Sequence, residues 1–139
     1  MPKLNERINY YLNFFELPLD FKFDDSFEES IKEPGSRDNL SFASFSIGEQ
    51  FRINLSIILS FMELNKLINN FNCNIVFWDE ILDSGVDEDG MEIVLEKLKE
   101  LTNKEKLCSY IISHRNIQTS EWVDNVIVVN KVNGFSKIS

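Results

Sequence analysis

A strand–helix–strand pattern in the second half of the chain most constrains its fold. Residues 75–78 form a short continuous apolar run, which is typical of a parallel strand buried on both faces. Asp87 then caps a predicted helix over 88–101, and a second apolar run follows at 107–113. This order predicts a βαβ unit with a right-handed crossover, and therefore an α/β fold.

Reactive side chains follow both predicted parallel strands. Asp79 and Glu80 come directly after the first strand, and His114, the chain's only histidine, comes after the second. Ligands of open α/β sheets bind beyond the carboxyl ends of the strands, so we expect these three side chains to share one crevice. Taken singly, each has a plainer interpretation: an acidic strand end for the carboxylates, and a structural histidine for His114.

The other patterns predict two more helices and several antiparallel strands around this unit, giving a mixed sheet. The long second helix is apolar nearly all round, so we expect it to be largely buried. Asn-Gly between apolar runs predicts a tight hairpin turn. In chain order, the predicted elements are an amphipathic helix over 3–15, one or two strands within 21–31, a loop over 34–39, the long helix over 48–69, and a hairpin of 126–129 and 135–138 around Asn133-Gly134.

Composition limits the classes of function. The 139 residues are enough for one domain with a real core, since 43% are hydrophobic. The net charge of -9 argues against strong DNA binding by this chain alone, because phosphate contacts need Lys and Arg. The sequence has no apolar run of ~18 residues for a membrane helix and no signal-peptide core. Isolated Cys73 and Cys108 indicate reduced thiols and a cytoplasmic location.

Acidic residues are concentrated after the first parallel strand. Seven of them fall between Asp79 and Glu92 with no Lys or Arg among them. One interpretation is a solvated helix start, where carboxylates favour the first turn. The other is a magnesium site at the beginning of the run, and both interpretations can hold for different residues.

The start of the long helix has a Ser-x-x-Glu pattern. Ser46 and Glu49 fit a capping box, which would simply begin the helix. A helix N-terminus is also a natural phosphate site, and Gly48 would let its backbone approach a ligand closely. Because the Asp79-Glu80 strand follows, we favour the phosphate interpretation.

Four segments in fixed order resemble the C-terminal lobe of an ABC-type ATPase head. Residues 45–50 resemble the signature motif, 75–80 the Walker B strand, 82–87 the D-loop and 113–115 the switch-histidine segment. Ile47 stands where the signature usually has Gly. The chain contains no Gly-x-x-x-x-Gly-Lys-Ser/Thr phosphate loop (Walker A), and so resembles half of an ATP site.

The resemblance extends to the SMC-like, SbcC-type ATPases of double-strand-break processing. It rests on 48–56, the Asp79-Glu80 strand and 112–115. The long 79–87 segment and the Phe-rich start are similar to the ATPase subunits of T-even phage recombination endonucleases. The resemblance implies that 1–16 is the root of a coiled-coil helix and 17–139 the C-terminal lobe of the head. The N-terminal lobe with Walker A would be a separate partner.

The resemblance also implies roles for individual residues, with ATP and Mg²⁺ as cofactors. Glu80 would polarise the attacking water and His114 would contact the γ-phosphate. In phosphoryl transfer, positioning and charge stabilisation supply most of the catalysis. Asp79 would hold Mg²⁺ through water. The residues implied to act in trans, on the opposite head, are Ser46, Gly48 and Glu49 of the signature and Asp83 and Asp87 of the D-loop.

The implied partners are a second copy of the head, a calcineurin-like metallonuclease subunit, and DNA through the assembled complex, in the host cytoplasm if the chain is phage-encoded. No membrane partner is implied. We expect a C-terminal fragment or a split-gene product that does not hydrolyse ATP alone. Two rivals remain: a non-catalytic, degenerate half-head that binds protein, and a stand-alone magnesium-dependent hydrolase built around Asp79.

Overall fold

The computed structural model describes residues 1–69, 73–83, 88–115 and 121–138. Asp87, with the cap predicted for it, lies outside these residues. The described elements are, in order, α1 (Pro2–Phe14), β1 (Asp20–Phe23), β2 (Glu29–Lys32), a 3-10 turn (Phe42–Ser44), α2 (Ile47–Asn69), β3 (Ile75–Asp79), α3 (Glu88–Glu105), β4 (Cys108–Ile112), β5 (Val129–Val132) and β6 (Phe135–Ile138). No helix in the described part of the chain has the length and apolarity needed to cross a membrane.

The predicted βαβ unit is present. β3 and β4 pair in parallel, with Ile75 opposite Cys108 and Asp79 opposite Ile112, and α3 connects them. Among the described residues, the strands form three two-stranded sheets, of which the β1–β2 and β5–β6 pairs are antiparallel. The fold is thus α/β with mixed strand directions, as predicted.

The C-terminal hairpin confirms its predicted turn but not the limits of its first strand. That strand begins at Val129 and ends at Val132, three residues later than the predicted 126–129. Asn133 and Gly134 have φ of 52° and 85°, the left-handed values that a two-residue hairpin turn requires. Two-residue turn geometry pairs Val132 with Phe135, so the turn, rather than the apolar run, fixes the strand limits.

Burial of the long helix and of the first parallel strand is less than predicted. The buried residues of α2 form one stripe, and Leu67 and Ile68 remain 69% and 77% exposed. In β3, Trp78 is buried while Phe77 is 66% exposed, so only one face of the strand meets the core. The predictions of a largely buried α2 and of a buried β3 are therefore wrong for this chain, because its described elements cover one side of α2 and one face of β3.

Two apolar clusters share helices α1 and α2. The first joins the end of α1 to α2, β3 and α3, and the second joins α1 to α2, β1 and β2. The first cluster includes Phe15, Leu59, Trp78, Leu82, Val94 and Leu98, and the second Leu4, Ile8, Leu12, Phe21, Ile31 and Ile53. α2 therefore connects the β1–β2 sheet to the βαβ unit.

Polar contacts join α1 to α2 at two levels. The Arg7 Nε donates to Glu63 Oε2 at 2.8 Å, and the Tyr11 hydroxyl donates to the same oxygen at 3.1 Å. Burial, followed by the Glu63 carboxylate, raises the pKa of the Tyr11 hydroxyl, which stays protonated. Near the C-terminus of α1, Arg52 Nη1 donates to the Phe15 carbonyl at 3.1 Å. These contacts fix the α1 helix along α2.

Two asparagine side chains of α1 act as a neighbouring strand for β1. Asn9 Nδ2 donates to the Phe21 carbonyl at 2.7 Å, and its Oδ1 accepts the Phe21 N–H at 2.8 Å. Asn5 makes the same pair of hydrogen bonds with Phe23, both at 2.9 Å. Asn5 and Asn9 are one helical turn apart, which matches the two-residue repeat of the strand edge. The free edge of β1 is thereby covered.

We predict that Asn9→Ala destabilises the chain by about 1–3 kcal/mol, because it leaves the part-buried N–H and C=O of Phe21 without partners. Asn13→Ala is the matched control, since the Asn13 side chain, among the described residues, donates to the Asn9 carbonyl of its own helix and not to β1. Urea unfolding followed by circular dichroism measures both. Equal losses for the two variants would contradict the strand-like role of Asn9.

Candidate functional site

Asp79 and Glu80 lie at the carboxyl end of β3, as predicted. Both side chains are exposed. Glu80 leaves the strand with a φ of 51°, a left-handed value that a residue with a side chain adopts at a cost. Its N–H donates to the Ile112 carbonyl at 2.9 Å, and its carbonyl accepts the N–H of Asp83 at 3.0 Å. These two hydrogen bonds hold the unusual conformation, which turns Glu80 across the end of β4.

This turn brings Glu80 to the only histidine of the chain. His114 Nε2 lies 3.1 Å from Glu80 Oε1, at hydrogen-bond distance. The His114 side chain is 83% exposed and that of Glu80 is 61% exposed, so the pair faces solvent. A carboxylate next to an imidazole can orient a water molecule or share a proton, provided that a substrate is placed beside the pair.

Asp83 connects this pair to the segment after β4. Its Oδ1 accepts a hydrogen bond from the Ser113 hydroxyl, and its Oδ2 accepts the backbone N–H of His114 at 2.9 Å. The Ser113 and His114 hydrogen bonds, in that order, lower the pKa of the Asp83 carboxyl, which remains ionised at neutral pH. The sequence indicated Asp83 only as a D-loop residue, and nothing in its spacing revealed this contact with Ser113.

The start of α2 forms the predicted capping box. The Ser46 N–H and hydroxyl donate to Glu49 Oε2 at 2.8 and 2.9 Å, and the Glu49 N–H lies 3.3 Å from the Ser46 hydroxyl oxygen. The Ser46 N–H, followed by its hydroxyl, holds the pKa of Glu49 below its usual range. Ser46 therefore begins the helix whether or not it also binds a ligand.

Gly48 has an open surface above it. A Cβ built on Gly48 would meet no atom within 4 Å, and its backbone does not need the left-handed region. The fold itself therefore does not require glycine at this position. Glycine would be required at this position if another molecule approached this helix turn closely.

The predicted residues fall into two groups. Glu80, Asp83 and His114 are joined by hydrogen bonds at the ends of β3 and β4, and Asp79 lies beside Glu80. Among the described residues, no hydrogen bond or ion pair links Ser46 or Glu49 to that group.

Magnesium fits the first group through Asp79. Mg²⁺ is commonly held by one or two carboxylates together with waters and substrate phosphates, so a single exposed carboxylate at a strand end suffices on the protein side. Within residues 1–69, 73–83, 88–115 and 121–138, no three His, Cys, Asp or Glu side chains cluster as an all-protein metal site.

Phage exonuclease subunits are similar in sequence to most of the chain. Exonuclease subunit 2 of Escherichia phage RB69 is 34% identical over 116 residues, and that of Enterobacteria phage T4 is 30% identical over 122 residues. The matches cover 84% and 88% of this chain but only 20% and 21% of the relatives. The chain therefore spans about a fifth of the length of these relatives. It matches no protein-family model.

Solved SMC structures share the fold over the whole chain. The SMC head domain from Thermotoga maritima has a TM-score of 0.71 and 26% identity, over 100% of this chain and 47% of that one. The chain is an SMC/SbcC-type ATPase lobe. A second SMC ATPase structure has a TM-score of 0.74 at 17% identity, which supports the fold alone. The family resemblance drawn from the motifs is thus confirmed.

For the capping box of this ATPase lobe, we predict that Ser46→Ala lowers the free energy of unfolding by about 1 kcal/mol, because the start of α2 loses its cap. Gly48→Ala is the matched control and should be neutral or stabilising by up to about 1 kcal/mol, since alanine favours helix and meets open space. Thermal and urea unfolding measure both variants. If Gly48→Ala lowered the free energy of unfolding as much as Ser46→Ala does, the assignment of Ser46 as the cap of α2 would be contradicted.

Proposed function

We propose that this lobe is the signature and Walker B half of an ATP-hydrolysing head in a DNA-processing exonuclease complex. The observation that carries the proposal is the Glu80–His114 pair at the ends of two parallel strands, with Asp79 beside it. The names of the RB69 and T4 relatives support the assignment to an exonuclease complex, and the SMC head structures support the ATPase.

In the proposed site, Glu80 acts on water and His114 on the terminal phosphate. The left-handed turn at Glu80 places its carboxylate beyond the strand, where it can orient a water molecule for in-line attack on phosphorus. The His114 imidazole, held 3.1 Å from that carboxylate, is placed to contact the γ-phosphate. Asp79 would hold Mg²⁺, which when bound neutralises charge on the phosphate oxygens.

The signature residues serve a second ATP site in this proposal. Ser46 is exposed at the start of α2, and the Gly48 turn beside it is open to an approaching molecule. A helix N-terminus is a natural phosphate site, and we propose that Ser46 and Glu49 serve the ATP held by a second copy of the head. Glu49 keeps the Ser46 hydroxyl oriented for that contact. Asp87, outside the described residues, is proposed to reach the opposite head.

The β3–β4 pair has an exposed apolar face, which supports contact with a second lobe. On this face, Phe77 and Tyr110 stack at 5.1 Å, flanked by Ile75 and Ile112, and all four are 44–66% exposed. Parallel sheets are normally covered on both faces, so this surface calls for a further layer. The Thermotoga maritima head extends well beyond the half that this chain matches. We assign the face to a lobe carrying the phosphate loop.

Catalysis in this proposal depends on that assembly. An isolated lobe leaves the Glu80–His114 pair in water, where electrostatic contacts with phosphate are weak. Closure of a phosphate-loop lobe and a second head would exclude water from the pair. We further propose that head closure controls a calcineurin-like metallonuclease subunit. The net charge of -9 fits DNA binding by other parts of the complex.

The rival that the exposed β3–β4 face also fits is a degenerate half-head that only binds protein. It would use the same exposed β3–β4 face, so that face does not distinguish the two functions. The ordered Glu80–His114 pair favours hydrolysis, because a binding module has no need of a left-handed glutamate at a strand end.

The proposed function predicts that ATP hydrolysis requires two lobes. The chain is mixed with a purified phosphate-loop lobe from a related phage ATPase, and magnesium-dependent phosphate release is followed, with each part alone as control. We expect turnover only in the mixture. Robust turnover by the chain alone would overturn the two-lobe site, and association without turnover would favour the degenerate half-head.

Glu80→Gln in the same mixture tests the role of Glu80. The amide keeps the shape of the side chain but cannot accept a proton, so we expect at least a 100-fold loss of turnover, within the range typical for a general base. ATP-driven dimerisation, measured by light scattering, should remain. Undiminished turnover would exclude Glu80 as the residue that activates water.

We also predict that Phe77→Ser weakens association with the phosphate-loop lobe about tenfold or more, because burial of a Phe side chain contributes about 1.5–3 kcal/mol. Phe135→Ser is the matched control, since Phe135 is 75% exposed on the β5–β6 hairpin, which among the described residues forms a sheet separate from the β3–β4 pair. Titration calorimetry measures both affinities. Equal weakening by the two variants would contradict the assignment of this face.

A further inference from the structure

Residues 113–115 are held through a single carboxylate that lies thirty residues earlier in the chain. Asp83 uses its two oxygens separately, one for the Ser113 hydroxyl and the other for the His114 N–H at 2.9 Å. The Ser113 oxygen also accepts the N–H of Arg115 at 3.0 Å. Three successive residues after β4 are therefore oriented by Asp83.

The backbone at Asp83 is itself held in place. Its N–H donates to the Glu80 carbonyl at 3.0 Å, and the neighbouring Leu82 is completely buried in the apolar cluster below. The Glu80 N–H donates to Ile112, the last residue of β4. Hydrogen bonds join Glu80 to Asp83, Asp83 to Ser113 and His114, and Ile112 to Glu80. Together with the backbone from Ile112 to His114, they form a closed ring.

The His114 side chain has little else to orient it. It is 83% exposed, and Glu80 is its hydrogen-bond partner among the described residues. Apolar packing cannot fix a side chain that is exposed to this degree. The direction of the imidazole therefore follows from the backbone that carries it, and the ring of hydrogen bonds sets that backbone.

We propose that Asp83 is a positioning residue that holds His114 against Glu80 within the same chain. This differs from the D-loop role implied by the resemblance, in which Asp83 reaches the opposite head. Both oxygens of the Asp83 carboxylate are used inside its own lobe. Only the catalytic consequence of this arrangement, correct placement of His114 for phosphate, rests on the proposed function.

The single histidine of the chain allows a direct test without nucleotide. Labelling with ¹⁵N-histidine gives one backbone amide signal, that of His114, whose exchange with solvent is measured by NMR. In Asp83→Ala, the His114 N–H loses its carboxylate acceptor, so we expect His114 exchange about tenfold faster or more, as for loss of a hydrogen bond to a charged group. Unchanged exchange would overturn the proposal.

Two further variants separate positioning from a general loss of structure. Asp38→Ala removes a carboxylate whose side chain makes none of the hydrogen bonds described for Asp83, and it should leave His114 exchange unchanged. Ser113→Ala removes the hydroxyl and keeps the acceptor for the His114 N–H, so exchange should stay within about threefold of the parent chain, well short of the effect of losing the charged hydrogen bond. Equal acceleration in all three variants would contradict a specific role for Asp83.

The catalytic consequence is tested in the two-lobe mixture. Asp83→Ala should lower kcat about tenfold or more and leave the KM for ATP within about twofold, because His114 is displaced from a contact that matters most during hydrolysis. A tenfold rise in KM with an unchanged kcat would contradict the role of Asp83 in positioning His114 for catalysis. If the mixture has no turnover, the proposed function fails, while the exchange measurement still decides the role of Asp83.

Discussion

The parallel pairing of β3 with β4 is the constraint on which the candidate site depends. It places Asp79 opposite Ile112, so that the chain leaves both strands at the same edge. The Glu80 N–H then reaches the Ile112 carbonyl, and the left-handed turn that results directs the Glu80 side chain toward His114. Buried Trp78 and Leu82 on either side of Asp79–Ile81 hold this edge on the apolar cluster, whereas the reactive groups themselves stay in solvent. Rigid packing beneath the exposed pair fixes the backbone that carries it.

Incomplete coverage of apolar surfaces is the second physical feature of the lobe. Open surfaces among the described residues include one face of the β3–β4 pair, the second half of α2 at Leu67 and Ile68, and the Gly48 turn. In a self-sufficient domain, apolar side chains on a parallel sheet would be covered. Relatives about four times as long have ample chain for such cover. The edge of β1, by contrast, is closed internally by Asn5 and Asn9, which gives α1 a fixed rotation against its sheet.

Much of the architecture could be predicted because local patterns act over short distances. The Ser46–Glu49 cap, the Asn133-Gly134 turn and the strand–helix–strand order each depend on a few neighbouring residues, and all three are confirmed. Burial could not be predicted in the same way. The apolar faces of α2 and β3 have the composition of buried elements, but exposure is set by what packs against them, and the described elements supply only part of that cover.

The sequence by itself determined the family, the order of the elements and which reactive residues follow the parallel strands, because these properties reside in residue type and spacing. The tertiary structure alone decided how those residues meet. The 3.1 Å approach of His114 to Glu80 and the use of both Asp83 oxygens by Ser113 and His114 join segments thirty or more residues apart. Spacing cannot encode such contacts, since they depend on the register of β3 against β4 and on the backbone turn at Glu80.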